Sequence, residues 1–177
     1  MLMIDVMYYF LLVGYMKVLV ATTVLRHEDP ELVVMSVRKI FPNWTPEDVP
    51  SRRSYPDNSP PARLISEVEG IEYIIQDAKA HKILDTALDA MTLNSENDMS
   101  YFSLSRTAAA AGRCSFVVDD YVVGGTIDVT ISRRELNTYL TELTSHPGRE
   151  EYPRAPNDEI SMTSDGDPSH WFSPTKR

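Results

Sequence analysis

A single cysteine, Cys114, stands in a chain of 177 residues. Neither an intrachain disulfide nor a multi-thiolate metal centre can therefore form, and a lone thiol is expected to serve as a small buried apolar group in a strand. The histidines are His27, His81, His146 and His170, scattered singly with no His-x3-His or His-Glu-x-x-His spacing. No metal and no cofactor are expected on that pattern. A Gly-x4-Gly-Lys-Ser/Thr phosphate loop is missing, and so is a nucleophile elbow. Positive charge is scarce: 17 Lys and Arg face 26 Asp and Glu, a net charge of -9. That balance withholds the global field of a phosphate-backbone binder. The apolar stretch Met1 to Tyr15 falls short of the roughly 20 residues of a spanning helix. It also lacks a positive leading segment and a small-residue cleavage site, so it reads as an N-terminal extension (an upstream start codon would produce one) rather than an anchor or a signal. No membrane association and a cytoplasmic location are expected.

What is present suits one domain with appendages. Hydrophobic residues make up 42% of the chain, well above the disordered range. The expected limits are an extension over 1–15, a single domain over 16–144 and a disordered tail over 145–177, where prolines sit among Ser, Asp and Glu. Within the tail, Trp171-Phe172 is either a short docking motif or nothing.

The domain reads as α+β. Lys17 to Val24 is an unbroken β-branched run, a buried strand. Asp29-Pro30-Glu31 opens a helix with a cap, a first-turn proline and an acid at the positive end of the dipole; Phe41-Pro42 closes it. A proline-rich loop fills 42–61, and Arg63 to Val68 is a second strand. A long helix is expected from Ile71 to Met91, with an apolar stripe that changes sides halfway. Ile71, Ile74, Ile75 and Ala78 lie on one face; Ile83, Leu84, Ala87, Leu88 and Met91 lie almost opposite. Either the helix kinks over its own sheet, or the second stripe meets another copy of the chain, and the size of the stripe favours a dimer contact. A strand over Met99–Ser105, a short helix to Ala111 closed by Gly112, strands over Arg113–Val118 and Thr126–Ile131, and a helix opened by a capping box at Ser132–Glu135 complete the chain. The expected architecture is a two-layer sandwich: a mostly antiparallel sheet of about five strands packed by helices, in the order β-α-β-α-β-(short α)-β-β-α.

Few residues suggest chemistry. Lys82, Asp85 and Thr86 could form an acid, hydroxyl and cation set, but at helical spacing Lys82 and Asp85 read more simply as a surface ion pair. Asp119-Asp120 reads as a turn. The arginines Arg52, Arg53, Arg106, Arg113, Arg133 and Arg134 are the candidate phosphate contacts should RNA bind.

The string Lys82-Ile83-Leu84-Asp85-Thr86-Ala87, then Phe102-x-Leu104-Ser105-Arg106-Thr107-Ala108-Ala109-x-x-Gly112, then Gly125-x-Ile127-x-Val129-x-Ile131, resembles the archaeal uncharacterised protein family 0201. Met16-Lys17-Val18 and Glu28-Asp29-Pro30 resemble its start, so the likeness spans about 16–143. The chain departs from the family pattern at Leu88, where an arginine is usual, at Ser105-Arg106-Thr107, and in its longer proline loop. The resemblance implies a fold similar to RNA-binding ribosomal proteins and a homodimer. Some members are fused to a P-loop nucleotide-kinase-like domain, so a separate protein of that type is an implied partner. Two functions follow as expectations: a non-enzymatic dimeric interaction or accessory module, or a weak RNA-binding or ribosome-associated protein. An enzyme ranks behind both.

Overall fold

The computed structural model describes residues 16–52, 54, 58–118 and 122–151, with the side chains of 150 and 151 left aside. The apolar extension, Arg53, Asp119-Asp120 and the tail beyond 151, including Trp171-Phe172, lie outside the described residues.

Five strands and two helices come first into view around one sheet. They are β1 (Lys17–Val24), α1 (Pro30–Ile40), β2 (Ala62–Val68), α2 (Glu72–Ala80), β3 (Ser95–Glu96), β4 (Met99–Ser105) and β6 (Thr126–Ser132). Between them stand α3 (Leu84–Thr92), α4 (Arg106–Ala110) and the two-residue β5 (Phe116–Val117); α5 (Leu136–Leu143) and α6 (Pro147–Glu151) close the chain. The sheet is antiparallel, in the order β2-β1-β6-β4-β3, with β5 pairing β4 from the side. Its register sorts the side chains onto two faces. Val20, Val129 and Phe102 are aligned on one face, flanked by Val18, Ile131, Ile127, Leu104 and Leu64. This face builds a single core with Val33, Val37 and Ile40 of α1, Ile74 of α2, Leu88 and Met91 of α3, and Leu136 and Leu140 of α5. The expected α+β two-layer architecture is observed, with a sixth strand where 95–96 reads locally as turn.

The long helix is two helices. Lys82 adopts φ 58°, and α2 ends in a Schellman arrangement: Lys82 N–H donates to Lys79 O at 3.2 Å and Ile83 N–H to Ala78 O at 2.9 Å. The chain is thereby re-aimed, and the change of apolar face in the sequence is its imprint. Leu84, Ala87, Leu88 and Met91 are buried within the same chain, and Ile83 is half-buried against the core. The contact with a second copy expected at Ile83, Leu84, Ala87, Leu88 and Met91 is therefore corrected: α3 turns that stripe onto its own sheet.

Two smaller corrections concern caps and boundaries. Glu135, not Ser132, precedes α5; it sits at φ 56° with no side-chain cap, and its N–H donates to Asp98 Oδ1 at 2.9 Å. Order also runs past the expected limit at 144, because α6 folds back onto α3. The loop after α1 is rooted by Trp44, fully buried, whose Nε1 donates to Val20 O at 2.9 Å.

A left-handed cap suits glycine, because a side chain there crowds the backbone by about 1 kcal/mol. Lys82→Gly should raise the stability of the protein by about 0.5–1 kcal/mol, whereas Lys82→Val should lower it. Chemical denaturation of the two variants checks both signs.

Candidate interaction surfaces

The motif residues prove to be joints of the scaffold. Arg106, at the start of α4, is only 4% exposed. Its Nε donates to Gly124 O at 2.8 Å, its Nη1 to Thr23 O at 2.7 Å and to Thr22 Oγ1 at 3.1 Å, and its Nη2 to Glu28 Oε1. Glu28 Oε2 in turn accepts Leu25 N–H at 2.8 Å. One guanidinium thus ties the end of β1, the turn before α1 and the Gly124-Gly125 turn together. Gly124 and Gly125 have φ of 85° and 79°, and a Cβ on Gly125 would meet Arg106 Nη2 at 2.6 Å. Ser105 caps α4 by accepting Ala108 N–H at 3.3 Å, Ala109 is fully buried, and Gly112 turns at φ 74°.

Asp85 is the second joint. Arg149 donates to its Oδ1 from Nε at 3.0 Å and from Nη2 at 2.6 Å, and His146 Nε2 lies 3.0 Å from Oδ2. Arg149, 9% exposed, also donates to Thr144 Oγ1 at 3.0 Å and Thr141 O at 3.2 Å. Asp85 therefore pairs with the C-terminal segment rather than with Lys82. Burial pushes its carboxyl up, but the hydrogen bonds and charges of Arg149 and His146 together outweigh burial and hold it below the usual carboxylate range. Thr86 faces solvent.

The candidate RNA contacts do not converge. Arg106 is buried; Arg52 meets Asp29 at 3.4 Å; Arg113 lies 3.7 Å from Asp77; Arg133 stacks on the Tyr139 ring at 3.8 Å. Arg134 is exposed. Cys114 is buried between α4 and β5 rather than within a strand; burial first, and the Asp77 charge second, push its thiol up to about 12 against the opposing charge of Arg113. It remains a neutral thiol at physiological pH. Among the described residues no group of three or more His, Cys, Asp or Glu could hold a metal ion, and no helix is long and apolar enough to cross a membrane.

Two surfaces stand out instead. The first is the sheet face opposite the core. Glu67, Leu19, Thr130 and Tyr101 form one row across four strands, and Ile65, Ala21, Asp128 and Ser103 form the next. Ile65, Met99 and Tyr101 stay 53%, 49% and 45% exposed. The charges on this face are matched within it: Lys17 to Glu67 at 3.7 Å, and Arg63 to Asp128 at 2.6 Å. Asp128 also accepts from Ser103 Oγ at 2.9 Å and Thr126 Oγ1 at 2.8 Å. The second surface is the outer side of α1, where Leu32 and Met35 protrude beside a groove bounded by α4.

Sequence reasoning missed Glu28, Arg149, His146 and Asp128 as partners. The signal for α6 was Pro147, a helix-opening residue, read there as tail composition. Strand alternation puts Asp128 on the face opposite the core, where Arg63 and the hydroxyls of Ser103 and Thr126 bury it.

Arg106→Ala should destabilise the domain by about 3–5 kcal/mol, because Glu28 would be left half-buried without its cation; a urea melt measures it. A chain ending at Thr144 should be less stable than one ending at Glu151 by about 1–3 kcal/mol. The folded-state pKa of Asp85 is depressed, so this difference is present above about pH 4, the unfolded carboxylate value, and fades as pH falls through the lower folded value. In an Asp85→Asn background the two lengths should show little difference at any pH.

No family model matches the chain, and no curated protein does. Solved structures do. A UPF0201 protein from Methanococcus jannaschii is 19% identical, with a TM-score of 0.57, over 73% of this chain and 99% of that one. A DUF54 protein from Methanothermobacter thermautotrophicus is 20% identical, with a TM-score of 0.53, over 73% and 97%. An uncharacterised UPF0201 protein is 19% identical, with a TM-score of 0.53, over 64% and 80%. The chain has the fold of the archaeal UPF0201 proteins, the family that its motifs resemble.

Proposed function

We propose that the protein is a non-enzymatic interaction module, a homodimer whose uncovered sheet face takes up a second protein. The observation that carries this reading is the open face itself. Ile65, Met99 and Tyr101 remain exposed beside half-buried Leu19, while the charges around them are paired in the plane of the sheet. Such a surface offers apolar contact area without unmatched charge, which suits an apolar protein face better than a phosphate backbone. A nucleotide-kinase-like protein is the partner class that the family resemblance suggests, and it would be a separate chain. RNA binding is the weaker reading: the arginines are scattered or engaged in internal contacts, and Tyr101 alone offers a stacking ring on the face.

Affinity capture from native extract, with and without nuclease, tests the choice. A protein that survives nuclease treatment and is lost with Ile65→Asp plus Tyr101→Asp is the expected outcome. RNA that co-purifies until nuclease is added, and is indifferent to those two substitutions, would favour the other reading.

A further inference from the structure

Among the described residues nothing covers the outer face of the sheet, yet a candidate cover is attached at its border. We infer that residues 1–15 of the same chain pack across that face as a helix, and that a docking protein must displace them, a consequence that rests on the reading of that face as the interaction surface. Lys17, Ser132 and Met99 form the outermost row of the face. The segment joins the sheet at Met16, immediately before that row. β1 lies inside the sheet, with β2 on one side and β6 on the other, so the attachment falls within the width of the face rather than at an edge. Gly14, just ahead of the strand, suits the reversal that turns the segment back over the sheet.

The segment has one charged residue, Asp5, and no Lys or Arg. At helical spacing Met3, Val6, Met7 and Phe10 share one side, and Asp5, Tyr8 and Tyr9 lie opposite. The first side offers only apolar groups, which suits Ile65, Met99 and Tyr101 on a face whose ions are already paired in its plane. The second side keeps an acid and two phenols in water. Size fits as well. At a spacing of about 4.8 Å, the strands β2, β1, β6 and β4 span about 14 Å between outer axes. A helix over residues 2–13, rising about 1.5 Å per residue, is about 18 Å long. Other occupants suit the face less. A helix lying on a lipid surface takes its hold from Lys and Arg on its polar side, and this one has neither. A separate chain meets the face at its solution concentration, whereas a segment tethered beside it acts at an effective concentration of about millimolar. The groove beside α1 opens at the far end of β1, near Glu28 and Gly124, and so does not compete for the segment.

Peroxide oxidation of the full chain, followed methionine by methionine with peptide mass spectrometry, tests the cover. Within the described residues Met99 and Met35 are similarly exposed, at 49% and 58%, and Met91 is fully buried. With the segment seated, Met99 should oxidise at least about tenfold more slowly than Met35, equally at low and high protein concentration. Met7→Asp plus Phe10→Asp should bring Met99 to the rate of Met35 while Met91 stays protected. Tyr8→Asp plus Tyr9→Asp, on the opposite side, should leave Met99 slow. A Met99 as reactive as Met35 in the unaltered chain would overturn the cover. So would protection that disappears on dilution, which marks a second chain on the face. Release by both pairs alike would overturn the helical seating. Capture from nuclease-treated extract then tests displacement: the Met7→Asp plus Phe10→Asp chain should retain several-fold more partner protein than the unaltered chain. Equal capture by the two chains would overturn displacement and leave the cover standing. No captured protein from either, with Met99 protected, would overturn the docking reading, and displacement with it, but not the cover.

Discussion

Arg106 is the point on which one end of the sheet depends. Its guanidinium reaches carbonyls on both sides of the sheet's end, Thr23 O on β1 and Gly124 O in the turn before β6, and closes on Glu28. A buried cation is costly unless its donors are met and its charge is paired. Here both conditions hold, so the residue acts as a geometric rivet rather than as a free binding group. The consequences spread outward. Gly124 and Gly125 must turn through positive φ to present a carbonyl and leave space for the guanidinium. Thr22, on the core face of β1, turns its hydroxyl to the same group and to Thr126 O. Glu28, held in turn, fixes the turn that leads into α1, one residue before its cap Asp29.

The other constraint is the break at Lys82. A straight helix through 71–92 would turn either Ile74 or Leu88 into water; the left-handed residue allows both to face the core. With α3 re-aimed, Asp85 stands where Arg149 can reach it, and the segment 145–151 is drawn onto the domain. The motif Lys82-Ile83-Leu84-Asp85-Thr86-Ala87 is thus a break, a core contact, a buried leucine, an anchor for α6, a solvent-facing hydroxyl and a buried alanine. Each has an architectural reading except Thr86, which nothing in the structure explains.

Much of this was legible from residue pattern because the signals are local. β1 over Lys17–Val24 and β4 over Met99–Ser105 fall where strand periodicity places them, and Asp29-Pro30 caps α1 as its chemistry demands. The failures share a cause as well. A Schellman cap normally announces itself with glycine; at 82 the position is lysine, so only the swapped apolar face betrayed the break. Ser132–Glu135 has the letters of a capping box, but Ser132 is held in β6 opposite Lys17 and Met99, and Asp98 supplies the bond that the box would have made. Arg106 read as a candidate phosphate contact because its buried partners, Thr22, Thr23 and Glu28, are about 80 residues distant in sequence, as the bonds to them record. Long-range pairing of charge leaves no period to detect.

That pairing also shapes what the surfaces can do. Arg63, Arg106, Arg113 and Arg149 each face a carboxylate of the same chain, so much of a small basic complement is engaged internally. The acidic excess that remains sets a repulsive field for nucleic acid and for another copy of the chain alike, screened beyond about 8 Å at physiological salt. Contact is then favoured where charge is balanced over distances shorter than that. The sheet face around Leu19 and Tyr101 meets the condition by pairing its ions in the plane. The two faces of the sheet are thus divided in role: the inner one carries the core with the helices, and the outer one, its ions paired in place, is the side they leave uncovered.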